Sequence, residues 1–131
     1  MTIYADNAAT TRVSEEVLNA MLPYFRENYG NPSSLHSIGQ KAAEVLYNAR
    51  KTVADCINAK PENITFTSGG SEADNQALIS VARNLARKNK KHIISTKFEH
   101  HAILHTLKKL ESEGFEVTLL DVHENGIVTP E

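Results

Sequence analysis

The stretch that decides the fold runs Ile64-Thr-Phe-Thr-Ser-Gly-Gly-Ser71 and continues directly as Glu72-Ala-Asp-Asn-Gln-Ala-Leu78. A short β-branched and aromatic segment meets two glycines, and a helical pattern starts at once. In such a turn the first helical N–H groups lack partners within the helix, and the positive end of the helix dipole attracts an anion. The corner Gly69-Gly70-Ser71, which we call the phosphate corner, is therefore a candidate phosphate site.

The same corner also suits an ordinary strand-to-helix turn. Ser71 would then be the helix N-cap, with Asp74 as its capping-box partner. Taken alone, the motif favours this simpler interpretation, because short glycine motifs are common. It lacks the Gly-Lys-Ser/Thr of a nucleotide P-loop and the glycine spacing of a dinucleotide site, so those two functions are set aside.

Composition narrows the class of protein. The chain has 131 residues, 40% hydrophobic and 23% charged, which predicts at most one globular domain. A formal charge of −2 predicts neither nucleic acid nor an anionic membrane as partner. No uninterrupted apolar run approaches the roughly 18 residues of a spanning helix. The N-terminus does not resemble a targeting segment, and Cys56 is a single cysteine, so we expect the cytoplasm.

Alternating strand and helix patterns follow residue 62 and predict an α/β fold with a parallel sheet covered by helices. Cys56 falls on the apolar stripe of a predicted helix, where a buried small side chain is expected. The predicted strands are 2–5, 63–67, 91–96 and 116–122, and the predicted helices are 14–27, 38–58, 71–88 (with Ala77, Val81 and Leu85 inward) and 100–113.

A second group of candidate residues is Glu99-His100-His101, just after a strand and at a helix start. A neutral His100 ring there could lie flat on an aromatic cofactor; a pair of surface histidines is an equally good interpretation. His101 and His105 are four residues apart and could share a metal ion. No third ligand stands at a fitting spacing, so we expect no metal site.

The third group is the loop Asn31-Pro-Ser-Ser-Leu-His36. Its small hydrogen-bonding side chains could form a wall of a substrate or cofactor pocket. They also suit a helix start capped by Ser34 or Ser37. The loop can form a pocket wall and cap the helix at the same time.

Together these segments resemble the NifS/IscS cysteine desulfurases of the class-V aminotransferase family. The resemblance rests on four ordered motifs that span nearly the whole chain: Tyr4-Ala-Asp-Asn-Ala-Ala-Thr-Thr11, Gly30-Asn-Pro-Ser-Ser-Leu-His36, Phe66-Thr-Ser-Gly-Gly-Ser-Glu-Ala-Asp-Asn75 and Glu99-His-His-Ala-Ile103. It implies the N-terminal portion of such an enzyme. Residues 1–13 would belong to its small domain and residues 14–131 to the first part of its large domain, an incomplete sheet of the fold type I of pyridoxal-phosphate transferases.

The resemblance also implies residue roles. Gly70 and Ser71 would hold the phosphate of pyridoxal 5′-phosphate, and His100 would stack on the cofactor ring and act catalytically as a proton carrier. Asn31 and His36 would be substrate-pocket candidates. The implied reaction removes sulfur from L-cysteine and gives L-alanine and an enzyme persulfide. That persulfide would serve iron–sulfur cluster assembly or tRNA thiolation through an acceptor such as a scaffold protein, and the complete enzyme would be a homodimer.

The imine lysine and the nucleophilic cysteine of the family have no counterpart in these residues. We therefore expect the 131-residue chain to be inactive by itself, and to be a fragment or one piece of a larger assembly. The alternatives that stay open are another class-V enzyme such as a selenocysteine lyase, and a non-catalytic fragment that binds the cofactor or phosphate.

Overall fold

The structure, a computed structural model, describes residues 2–129 and divides into two compact units, one up to Thr65 and one from Phe66 onward. The first unit contains helix α1 (Glu15–Arg26), helix α2 (Ser37–Cys56) and a 3₁₀ turn (Pro61–Asn63). The second contains helix α3 (Gly70–Ala86), strand β1 (His92–Thr96), helix α4 (His101–Ser112) and strand β2 (Glu116–Leu120). The predicted domain boundary after residue 13 concerns the complete enzyme and stays a prediction.

In the first unit, local capping determines where the helices begin. The Ser14 hydroxyl accepts the Val17 N–H at 3.3 Å, as the sequence predicts for the start of α1. The cap of α2 is His36, whose Nδ1 accepts the Gly39 N–H at 3.3 Å. The prediction of Ser34 or Ser37 as the cap is therefore wrong. A histidine nitrogen with a free lone pair does the same work as a serine oxygen.

Two predicted strands are absent from the described residues. Residues 2–5 form no strand, and the segment 63–67 is not a strand either: Asn63 ends the 3₁₀ turn and Ile64 has an extended backbone. A strand needs a neighbour with which to exchange hydrogen bonds, and β-branched composition supplies none. Ile64 is instead tied to α2, because the Arg50 side chain donates to its carbonyl oxygen at 3.2 Å.

The second unit confirms the α/β class. Its two strands pair in parallel, with His92 opposite Glu116 and Thr96 opposite Leu120. Both α3 and α4 contribute to a small core that contains Ala82, Leu110 and Phe115, with Ala86 and Ile93 packed against it. Burying a side chain such as Leu110 stabilises the fold by about 1.5–3 kcal/mol. This core packs α3 and α4 together toward their C-terminal ends.

Burial on the helices differs from the predicted pattern at two places. Val81 is 57% exposed and lies with Ala77 and Leu85 along an open apolar groove of about 420 Å³, while the neighbouring Ala82 is buried. Cys56 is exposed rather than buried. Helical periodicity identifies an apolar face, but it does not say which part of that face another element covers.

Turns end the elements as predicted. Gly114 stops α4 with φ of +91°, a left-handed conformation that glycine adopts without strain. Arg83 of α3 donates to both carboxylate oxygens of Glu113 at 3.1 Å, just after α4.

Within residues 2–129, no helix has the length and apolarity needed to span a bilayer.

Candidate functional site

The phosphate corner is open and its helix start is uncapped. Helix α3 begins at Gly70, and its N-cap Gly69 makes no side-chain capping bond. The N–H groups of Gly70, Ser71 and Glu72 consequently have no partner within the helix. A Cβ placed on Gly69 or Gly70 would meet nothing within 4 Å. The corner therefore presents a row of unblocked donors at the positive end of a helix, as an anion requires.

Ser68 and Glu72, rather than Ser71 and Asp74, stabilise this turn. The backbone N–H and the hydroxyl of Ser68 donate to Glu72 Oε2 at 2.7 and 2.6 Å. These hydrogen bonds, the hydroxyl bond above all, lower the pKa of the Glu72 carboxyl below its usual 4.5. The predicted N-cap at Ser71 is wrong, because the N-cap of α3 is Gly69, two residues earlier. Ser71 then lies inside the first turn, where its hydroxyl does no capping.

The structure brings Ser71 and His100 to the same cleft. This cleft, which we call the histidine cleft, is an open depression of about 360 Å³ within the second unit. Gly70 immediately precedes Ser71 in the chain. The lining residues are Ser71, Asn75, His100, His101, Ala102, His105, Thr106 and Lys109. Two elements that are far apart in sequence thus place Ser71 of the phosphate corner and the His100 imidazole in one cleft.

His100 is the N-cap of α4, and this role fixes its proton. Its Nδ1 accepts the Ala102 N–H at 3.1 Å, so Nδ1 carries no proton in this arrangement. The proton of the neutral ring then sits on Nε2. The side chain is exposed, which leaves the flat face of the ring and the Nε2–H available to a ligand in the histidine cleft.

The neighbouring histidines form a short ladder on α4. The ring centroids of His101 and His105 are 5.7 Å apart with ring planes at 29°, and those of His100 and His101 are 6.3 Å apart with ring planes at 56°. Among residues 2–129, no group of three or more His, Cys, Asp or Glu side chains is arranged to hold a metal ion. The ladder therefore adds polar, titratable groups to one side of the cleft.

Asn75 and Thr106 belong to the site, although sequence reasoning missed both. Asn75 Nδ2 donates to the Ser71 carbonyl oxygen at 2.6 Å, and the Thr106 hydroxyl hydrogen-bonds to Asn75 Oδ1. Thr106 is only 4% exposed. The available signal was a threonine on the apolar stripe of α4, between Ile103 and Leu110, where a buried hydroxyl needs a partner.

Asn31 and His36 lie in the first unit, on the loop that precedes α2. Asn31 Oδ1 accepts the Ser33 N–H at 2.9 Å, and its carbonyl accepts the Ser34 N–H at 3.0 Å. A Cβ on Gly39 would come within 2.3 Å of the Ser34 carbonyl oxygen, so the loop packs directly on the helix backbone. These bonds give both residues a local structural role. Their predicted part in a substrate pocket stays a prediction.

Comparison with known proteins agrees with this geometry. Residues 3–131 match the family described as Aminotransferase class-V. The chain is 50% identical over 130 residues to the cysteine desulfurase IscS of Methanosarcina thermophila, and 53% identical over 129 residues to that of Clostridium botulinum strain Kyoto. Each alignment covers 98% of this chain and 32% of the relative. The chain thus spans about a third of the length of these relatives.

Solved structures give the same result. A NifS-like protein superposes with a TM-score of 0.91 at 42% identity, over 98% of this chain and 35% of its own. The structure titled SspA in complex with cysteine gives 0.82 at 38% identity, over 92% of this chain and 35% of its own. The fold predicted from the sequence is confirmed. Because the family match runs along nearly every residue, this chain belongs to the class-V aminotransferase family.

Proposed function

We propose that this chain is the cofactor-binding part of a pyridoxal-phosphate-dependent cysteine desulfurase. The complete enzyme would convert L-cysteine to L-alanine and leave the sulfur as a persulfide on an enzyme cysteine. The observation that carries the proposal is the open, uncapped start of α3 beside His100 in one cleft. The names of the relatives, cysteine desulfurase IscS, and of the structure with bound cysteine support it.

The residues present fit the cofactor phosphate. The free N–H groups at Gly70 and Ser71 can donate to phosphate oxygens, and the Ser71 hydroxyl can add a third bond. Ser68 engages the Glu72 carboxylate through two hydrogen bonds, which orients that negative charge toward the preceding turn. When bound, pyridoxal phosphate supplies an electron sink next to the substrate amine.

His100 has two tasks in this proposal. Its ring would lie against the aromatic ring of the cofactor and would keep water off that face. Its Nε2 carries a proton that can be exchanged with a group in the cleft, because Nδ1 is already engaged by Ala102. The cap therefore selects the tautomer that the chemistry uses.

The remaining assignments extend the proposal to the complete enzyme. Asn31 and His36 would contact the substrate, and the persulfide would pass to an acceptor such as an iron–sulfur scaffold protein or a tRNA-thiolation partner. We expect a homodimer in the cytoplasm, where thiols such as Cys56 stay reduced.

The direct test is sulfur release by the complete enzyme that contains this chain. With L-cysteine and a reductant, we expect sulfide and alanine in equal amounts, together with a cofactor absorbance band. Absence of sulfide from a cofactor-loaded enzyme would overturn the proposal. Turnover of L-selenocysteine with no turnover of L-cysteine would identify a selenocysteine lyase instead, and cofactor binding without either reaction would identify a binding protein.

A further inference from the structure

We propose that Asn75 and Thr106 are a positioning pair that holds the phosphate corner in register with the helix that bears His100. The inference rests on the proposed function, since it concerns how the same site binds its cofactor. Neither residue needs to touch the cofactor. The pair would act through Ser71 on one side and Ala102 on the other.

The pair joins the first turns of the two helices through side-chain hydrogen bonds and the helix backbone. Asn75 Nδ2 donates to the Ser71 carbonyl oxygen at 2.6 Å, one turn back along α3. Asn75 Oδ1 meets the Thr106 hydroxyl of α4, and that hydroxyl also lies 2.9 Å from the Ala102 carbonyl oxygen. The Ala102 N–H in turn donates to His100 Nδ1. Both predicted cofactor contacts are therefore the ends of one network.

Burial makes the bond between the two helices the important member of this network. Thr106 is 4% exposed, and no other polar or charged residue within residues 2–129 is buried. The Ala102 carbonyl already accepts the backbone N–H of Thr106 in a regular helix. The Thr106 hydroxyl therefore donates its single proton to Asn75 Oδ1. This bond also holds the Asn75 amide in the orientation in which its Nδ2 donates to Ser71.

The consequence is a fixed spacing between the phosphate donors and the His100 ring. Helix starts fray easily, because their first N–H groups lack partners. A cofactor that is bound at its phosphate and stacked at its ring binds most tightly when the phosphate donors and the His100 ring are already in place. If binding itself must order them, the free energy of that ordering weakens the affinity. Losing the pair should weaken cofactor binding more than it weakens the fold.

The test compares two similar substitutions in the apo form of the complete enzyme. Thr106→Val removes the hydroxyl and keeps the shape. Thr118→Val removes a hydroxyl that lies 2.7 Å from His92 Nε2 on the sheet, away from the cleft. We expect the dissociation constant for pyridoxal phosphate, measured by calorimetry, to rise roughly three- to tenfold in Thr106→Val. It should stay at the parent value in Thr118→Val and in the conservative variant Thr106→Ser.

A second variant keeps the test decisive if Thr106→Val fails to fold. Asn75 is only half-buried and Ala suits a helix, so Asn75→Ala should fold and show the same loss of affinity. The double variant should bind no more weakly than Asn75→Ala, because both substitutions break one network. Parent-like affinity in Thr106→Val or in Asn75→Ala would overturn the positioning role while the proposed function stands. If the parent enzyme itself binds no pyridoxal phosphate, both proposals fail.

Discussion

Replacing Gly70 by proline would remove one backbone donor from the phosphate corner with little other change. Proline is well tolerated in the first turn of a helix, where its missing N–H has no helical partner. Gly69 before it is extended, with φ of 168° and ψ of 177°, and has no side chain to clash with the proline ring. The matched control is Gly70→Ala, which keeps the N–H and adds a Cβ that meets nothing within 4 Å.

The magnitude follows from the bond that is lost. A hydrogen bond to a charged acceptor contributes about 1.5–3 kcal/mol. Gly70→Pro should therefore weaken binding of pyridoxal phosphate by roughly 10- to 150-fold relative to Gly70→Ala. The melting temperatures of the two variants should be similar, since neither loses a helical hydrogen bond.

In the assay, each apo variant of the complete enzyme is titrated with pyridoxal phosphate, and binding is measured by calorimetry and by the cofactor absorbance band. Inorganic phosphate as a competitor isolates the contribution of the corner from that of the ring. If Gly70→Pro binds the cofactor as tightly as Gly70→Ala while both remain folded, the N–H groups of this turn do not hold the phosphate.

Three further predictions address other contacts. His100→Asn keeps an N-cap acceptor but removes the aromatic ring, so the melting temperature should hold while cofactor affinity falls roughly two- to tenfold; unchanged affinity would contradict ring stacking. Ser68 holds the pKa of Glu72 below 4.5, so the stability that this carboxylate adds is complete above that value and lost as pH falls through the lowered pKa. The melting-temperature gap between the parent and Glu72→Gln should thus narrow from about pH 6 to about pH 3, and a constant gap would refute this coupling. Gly39→Ala would place a Cβ 2.3 Å from the Ser34 carbonyl oxygen and should lower the free energy of unfolding, measured with urea, by about 1–3 kcal/mol. An unchanged free energy of unfolding would mean that the loop moves aside without cost.

Features that depend on neighbouring residues in the chain were predictable from the sequence. The cap at Ser14, the stop at Gly114 and the strands near 92–96 and 116–120 all follow from local chemistry and pattern. The phosphate corner belongs to this class, because two glycines between an extended segment and a helix specify a turn with free N–H groups. The place of His100 at the start of a helix was predictable in the same way, whereas its role toward a cofactor stays a prediction.

Features that depend on contacts between residues distant in sequence were not predictable. The segments 2–5 and 63–67 have strand composition, but neither is a strand in the part of the chain that the structure describes. The exposure of Cys56 and Val81 depends on which helix face another element covers. The bond between Asn75 and Thr106 joins residues 31 positions apart, and nothing near either residue in sequence indicates the other.

The most direct test of the central claim is the distance between the cofactor phosphate and the amide nitrogens of Gly70 and Ser71 in a crystal structure of the cofactor-loaded enzyme. We predict phosphate oxygens at about 2.7–3.2 Å from these nitrogens, with the His100 ring lying against the cofactor ring. A phosphate bound elsewhere, with these N–H groups facing only water, would contradict the account.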